Sequence, residues 1–284
     1  MRIDPPDLMT TDDAIRQLRG DPNYASLVRD AYLGRDVSES ARRFFDSDEF
    51  ATVRRILGKR LAGASVLDLG AGIGMASLAF AACGAGRVVA VDPDPSDEVG
   101  RGAMARLAGQ GEFEIADGFG EAIPLDDSSV DIVYCRQVLH HARDLRQVLR
   151  ECARVLKPGG IFLACREHVV DDDEQLRQFL SDHPVNQLAG GENAHPLPTY
   201  LEAIGASGLV IDRVFGPWRT IINAYPVVRT QAELEALPED RLVRRIGSAG
   251  RLAVHFPGVK AFIWRRIDKP VPGRMYTFLA HRPG

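Results

Sequence analysis

Residues Val66 to Gly74 read Val-Leu-Asp-Leu-Gly-Ala-Gly-Ile-Gly, and this stretch constrains the fold most tightly. Val66 to Leu69 are apolar and β-prone around one acid, the pattern of the first buried strand of a parallel sheet. Gly70, Gly72 and Gly74 make a tight turn with almost no side-chain bulk, and the helix-compatible run Met75 to Ala82 follows at once. A strand, a glycine turn and a helix N-terminus form a place where a ligand can touch backbone directly.

The register of the glycines discriminates between ligands. In the dinucleotide pattern G-x-G-x-x-G the third glycine packs helix on strand beside a pyrophosphate. Counted from Gly70 and Gly72, that position is Met75; the third glycine comes one residue early, and Asp68 precedes the turn. A carboxylate suits a nearby ammonium and repels a pyrophosphate. Arg87 to Asp92 then reads as a second buried strand ending in an acid, twenty residues past Gly72, where a carboxylate suits a ribose diol. A short third strand ends at Asp117. Ile123-Pro-Leu-Asp-Asp-Ser-Ser-Val-Asp-Ile-Val leads into a fourth, and Lys157-Pro-Gly-Gly160 precedes a fifth.

In these motifs, which span residues 66–165, the sequence resembles class I S-adenosylmethionine (SAM) methyltransferases, of the ubiquinone-biosynthesis type. The resemblance implies an α/β fold: a Rossmann-like, seven-stranded, mostly parallel sheet with an antiparallel last strand, a helical N-terminal cap and lid insertions. It implies SAM as cofactor, with the glycine turn behind its methionine part. Cofactor contacts are then expected at Asp68, Gly70, Ala71 and Gly72, at Asp92 and Pro93, and at Asp117, Gly118 and Phe119. Cys135 and Gln137 complete that set. Asp117 would accept from the adenine amino group, with Phe119 or Ile123 against the ring.

Strands are expected at 65–69, 87–92, 112–116, 130–135, 160–166, 209–215 and 274–281, with connecting helices near 74–83, 96–108, 144–156 and 200–207. The organisation is a cap over 1–63, a cofactor-binding core over 64–166, an insertion at 167–199, and a C-terminal part over 200–284 with a second insertion at 216–273. Phe44, Phe45, Phe50, Val53, Ile56 and Leu57 recur at helical spacing and form the cap's apolar face. Both insertions leave the carboxyl ends of strands, where α/β sheets place their ligands, so they are expected to roof the site. The cap segment Arg42–Phe50 is expected to reach the cofactor through Arg43 and Glu49.

Methyl transfer is an in-line displacement that mainly needs positioning, and an oxygen acceptor gains from a general base. After the fourth strand, Leu139-His140-His141 resembles the segment in which some small-molecule O-methyltransferases carry a basic histidine. His140 matches that histidine, and His141 is the second candidate; either can instead only cap the next helix. Glu167 and His168, where the chain is expected to leave the sheet, are candidates to face the acceptor. So are Glu192, Asn193 and His195 after the bend at Gly190-Gly191, a polar stretch poor at packing. Trp218 and Arg219 are candidates to stack on the acceptor. No metal site is expected: Asp171, Asp172 and Asp173 suit a helix N-terminus.

Composition bounds the partners. The 284 residues are 45% apolar with a net charge of −4, which gives no general attraction to nucleic acid. No Asn/Asp-Pro-Pro-Tyr/Phe follows the fourth strand to stack a flipped base. The four cysteines form no C-x-x-C pair and read as free thiols in a reducing compartment. The charged start, Met-Arg-Ile-Asp, lacks the apolar core of a secretory leader, so a cytoplasmic protein is expected. Residues 241–269 hold eight basic residues against one acid, Asp268. That excess suits an anionic membrane surface, with Phe262, Ile263 and Trp264 inserting, or a phosphorylated acceptor. The expected activity is SAM-dependent methylation of a hydroxyl on a small molecule or glycan, in surface-polysaccharide or secondary-metabolite biosynthesis. Its alternatives are SAM binding without transfer, or methylation of nitrogen, carbon or a protein; a dehydrogenase is disfavoured by the glycine register.

Overall fold

The computed structural model describes residues 8–109, 112–253 and 255–284; the first seven residues of the expected cap, with the charged start, lie outside them. The strands are β1 (Ser65–Leu69), β2 (Arg87–Asp92), β3 (Glu114–Asp117), β4 (Val130–Arg136), β5 (Leu156–Val170), β6 (His195–Pro196), β7 (Val210–Phe215) and β8 (Arg274–His281). They form one sheet in the order β3-β2-β1-β4-β5-β8-β7, with the two-residue β6 beside the far end of β5. β1 to β5 pair in parallel, and β8 is antiparallel to both of its neighbours. The order reverses at β1, between β2 and β4, so the carboxyl ends of those three strands open the crevice where such sheets bind ligands.

Alternation along the strands divides the core into two layers. Leu67, Leu69, Val133 and Cys135 pack beneath helices Leu145–Val155 and Leu197–Ala206. Val66, Ile132 and Tyr134 point the other way, onto helix Met75–Ala82 and the cap residues Phe44, Phe50, Val53 and Leu57. Phe45 departs from the expected apolar face and is 36% exposed, because the chain breaks at Asp46–Ser47 into two short helices instead of one. Both insertions are helical. Asp173–Asp182 and Pro184–Ala189 occupy the first, with Asp172 capping the former through the amide of Gln175 (2.9 Å). Gln231–Ile246, Ala249–Ala253 and Pro257–Ile267 make up most of the second. The N-terminal helix Thr11–Gly20 packs on Pro184–Ala189, and Met9 N–H donates to Leu188 O at 2.9 Å.

β5 corrects the sequence reading most. Expected to end at Cys165–Arg166, it continues to Val170, so Glu167 and His168 lie in the sheet, 0% and 5% exposed. Arg166 adopts a positive φ of 62°, and the register against β8 shifts between Ala164 and Glu167, after which pairing resumes. A bulge of this kind re-aims the side chains beyond it.

The cap is tied to the sheet by a buried ion pair. Arg136 Nε donates to Glu49 Oε1 at 2.7 Å and Nη2 to Oε2 at 3.3 Å, with the rings of Tyr32 and Phe44 beside the guanidinium. Glu49, expected to reach a cofactor, serves this pair, and Arg43 donates to Arg29 O (2.9 Å). Removing one member of a buried pair strands the other charge. Glu49→Gln should therefore lower the unfolding free energy by about 3–5 kcal/mol in urea titration; an unchanged midpoint would show that the pair does not hold the cap.

Candidate active site

The chain leaves β1 through Gly70, Gly72 and Gly74, with φ of 65°, 56° and 80°, a region that L side chains rarely adopt. At Gly70 there is also no room: a Cβ would stand 2.5 Å from Val138 Cγ2. Gly70 and Ala71 donate to Val91 O, and Gly72 N–H donates to Asp92 Oδ2 at 2.8 Å. Asp92 Oδ1 accepts from Asp94 N–H at 2.9 Å. Burial raises the Asp92 pKa, and these two amides pull it back. A carboxylate has about four lone-pair sites, so a ribose diol can still be accepted here. A glycine-rich turn against an acid at the tip of β2 fits the nucleoside and amino-acid parts of SAM.

The other expected cofactor contacts are arranged less simply. Asp68, 2% exposed, accepts the Ser77 hydroxyl at 2.6 Å, so this carboxylate anchors helix Met75–Ala82 instead of standing free for an ammonium. Burial pushes its pKa up to about 7. Asp117 pairs with Arg101, whose guanidinium Nη1 reaches both Asp117 Oδ1 (2.8 Å) and Asp92 O (2.6 Å). Ser77 and Arg101 carried no sequence signal. Phe119 is 55% exposed while Ile123 is buried in the core, which leaves Phe119 as the apolar face for a base. Pro93 is exposed, and Gly118 packs against Pro124 and Val91. Cys135 is buried, and Gln137, at φ 59°, accepts from Arg136 Nη1 at 2.8 Å.

Beyond β4 the chain is pinned by Glu167. Its Oε1 accepts from Val138 N–H (3.1 Å), and its Oε2 accepts from His140 N–H (3.1 Å) and His140 Nδ1–H (2.7 Å). The candidate acceptor contact is thus a buried positioning residue. His140 is 1% exposed, and its Nε2 lies 3.6 Å from Glu192 Oε2. Burial alone would lower the His140 pKa, but Glu167 and Glu192 override it and raise it to about 9. Two carboxylates beside the ring favour its protonated form, which works against the expected role of base. His141 is half-exposed, donates Nδ1–H to Gly191 O (3.0 Å), and has its Nε2 3.9 Å from Glu192 Oε2. Burial and the nearby His140 lower its pKa.

Glu192 is the centre of this group. Burial opposes its ionisation, yet His140, His141 and His183 hold its pKa well below the carboxylate range. His168 turns its Nδ1–H to Gly273 O (2.7 Å), and burial, then His140, lowers its pKa to about 3. Its Nε2 is buried without a partner, as is that of His195. Asn193 accepts from Ala194 N–H (2.9 Å), and His195 packs edge-on to Tyr200. Trp218 is not brought to this group: it packs with Ile221, Leu234 and Trp264, and Arg219 is exposed. In the basic stretch Ile263 is buried and Trp264 joins that same cluster, so Phe262 alone of the expected inserting trio is exposed, at 55%. No helix among the described residues is long and apolar enough to cross a membrane.

Residues 67–164 match the family described as Methyltransferase domain. The uncharacterized methyltransferase YcgJ of Bacillus subtilis is 35% identical over 116 residues, 41% of this chain and 45% of that one. The ubiquinone/menaquinone biosynthesis C-methyltransferase UbiE of Acidiphilium cryptum is 44% identical over 102 residues, 34% of this chain and 40% of that one. The chain thus spans less than half the length of these relatives. Among solved structures, a SAM-dependent methyltransferase from Mesorhizobium loti superposes with a TM-score of 0.57 at 19% identity, covering 84% of this chain and 99% of that one. A geranyl diphosphate methyltransferase in complex with SAM gives 0.56 at 18% identity and covers 97% of each. Residues 67–164 are a methyltransferase domain of the class I, SAM-dependent type, and SAM is the cofactor this domain takes.

Asp68 gives this site a pH signature. The unfolded carboxyl ionises near 3.8 and the folded one near 7. Between these values the unfolded chain sheds a proton that the folded chain keeps, so rising pH favours unfolding. This destabilisation is absent below about pH 4 and complete above about pH 7. Relative to Asp68→Asn, the wild type should lose stability steadily across that window in denaturant titrations; parallel pH profiles for the two proteins would contradict the assignment.

Proposed function

We propose that the chain transfers the methyl group of SAM to a hydroxyl of a small polyhydroxy molecule or glycan. The observation that carries this reading is a juxtaposition. The clamped Gly72–Asp92 turn lies at the carboxyl end of the sheet, and the polar group of His140, His141 and Glu192 lies at the same end, beyond β4. SAM, when bound, supplies a methyl carbon made electrophilic by its sulfonium. The chain's part is to hold two reactants in line and to keep water out.

Asp92, the glycine turn and Asp117 hold the cofactor's nucleoside and amino-acid ends. The Gly191–Glu192 bend, set over His141 at the end of helix Pro184–Ala189, on which Thr11–Gly20 packs, is the natural cover for the acceptor. A lining of imidazoles and a carboxylate hydrogen-bonds hydroxyls well and suits an apolar acceptor poorly. Carbon methylation is the second reading, favoured by the 44% identity to the C-methyltransferase UbiE.

Incubation with SAM carrying a 13C-labelled methyl group and a panel of sugars and phenols tests the proposal, since the carbon shift of the product separates oxygen-bound from carbon-bound methyl. Release of S-adenosylhomocysteine with an O-methylated product is expected; a C-methylated product, or tight SAM binding with no acceptor turned over, would overturn it. Asp92→Ala should weaken SAM binding by about 1–3 kcal/mol, roughly 5- to 150-fold, through lost hydrogen bonds. Unchanged affinity by calorimetry would remove Asp92 from the binding site.

A further inference from the structure

His140, His141, His168, His183 and His195 are five of the chain's seven histidines, and all contribute to the electrostatics or packing of one small region around Glu192 and Glu167. Within it, one ligand atom each from His140, His168 and Glu192 lies within 4.8 Å of the other two. Each histidine is oriented from behind. His140 gives Nδ1–H to the fully buried Glu167 (2.7 Å), and His168 gives Nδ1–H to the carbonyl of Gly273 (2.7 Å). Both Nε2 atoms are thereby turned away from those partners. This is the arrangement by which a carboxylate or carbonyl fixes the tautomer and direction of a metal-ligating imidazole.

A purely structural role leaves something over. His168 is 5% exposed, and its Nε2 is buried without a hydrogen-bond partner, although buried polar atoms are nearly always satisfied. Glu192 and Glu167 place two carboxylates against one side and the other of His140, so the region calls for positive charge. A cation between His140, His168 and Glu192 satisfies both demands at once.

We propose that His140 Nε2, His168 Nε2 and the Glu192 carboxylate bind a divalent first-row transition metal of the zinc class, with coordination left open. Binding releases the Nε2 proton of His140 to solvent, since only the neutral imidazole has a lone pair to give. Two nitrogens and one carboxylate with an open position form a donor set of catalytic zinc and related metals. Two donors each about 2.1 Å from one ion stand no more than about 4.2 Å apart, so the trio must draw in slightly. Glu192 sits on the bend after Gly190 and Gly191, at positive φ of 66° and 88°, and is the member carried outside the sheet. His183, with Nδ1 3.7 Å from Glu192 Oε1, flanks the site on its other side.

The metal's use rests on the methyl-transfer reading. An acceptor hydroxyl taken into the open position becomes more acidic. Its proton leaves to solvent, and its oxygen lone pair forms the new bond to the methyl carbon as the carbon–sulfur bond breaks. The metal thus takes the part of a general base at the acceptor oxygen.

The test uses the full chain, stripped by dialysis against a chelator and titrated with Zn2+ alone by calorimetry, with Co2+ absorption as a coordination probe. One ion per chain is expected, with d–d bands of a low-coordinate site. His168→Ala and Glu192→Ala should each weaken binding at least about a hundredfold, and Glu167→Gln about ten- to a hundredfold. Glu192→Ala, on an insertion bend, keeps the test open should His168→Ala fail to fold; melting curves identify that case. No zinc binding by the wild type, or equal binding by Glu192→Ala, overturns the site. SAM-dependent methylation that survives metal removal overturns the catalytic use while the site stands. Stoichiometric zinc with no acceptor methylated overturns the methyl-transfer reading and leaves the site intact.

Discussion

The hydrogen bond from Gly72 N–H to Asp92 Oδ2 joins the exits of β1 and β2, and the cofactor end of the molecule depends on it. It fixes the glycine turn against an acid at the point where strand order reverses. Gly70, closed to any side chain by Val138, brings the segment after β4 against the same turn. The turn therefore has one wall from β2 and another from the chain beyond β4, and a ligand seated on it is read by both. Arg101 extends that wall by bridging Asp92 O and Asp117.

The segment beyond β4 is organised by a different group, the buried carboxylate of Glu167. One residue in β5 accepts from two amides and one imidazole of the segment after β4. It thereby fixes the path of the chain from Val138 to His140 and the direction of the His140 ring. The bulge at Arg166 makes this possible, because it lets β5 run on past its expected end with Glu167 turned inward. Site geometry here follows from backbone irregularity in a strand, a common origin of functional geometry in sheets.

Much of this was legible in the chain. The strand pattern at β1, β2 and β4 is close to what local apolarity shows, and the acids ending β2 and β3 stand where the motifs place them. The failures have one physical source: partners distant in sequence. Arg166-Glu167-His168 reads as the chain leaving the sheet because three ionisable residues in a row rarely sit inside one; Glu167 and the Nδ1 of His168 find their partners at His140 and Gly273. Glu49 looks available to a ligand until Arg136 is seen beside it, and Asp68 until Ser77 is. His140, His168 and Glu192 were each singled out, yet separations of 28 and 24 residues carry no ligand spacing. Only the fold makes them neighbours.

The turn after β1 is built to receive an amino-acid sulfonium nucleoside and not a dinucleotide. Calorimetric titration of the full chain with S-adenosylhomocysteine and, separately, with NAD+ tests it most directly. Saturable one-site binding of S-adenosylhomocysteine and no heat from NAD+ are expected. Saturable NAD+ binding, with none for S-adenosylhomocysteine, would contradict it.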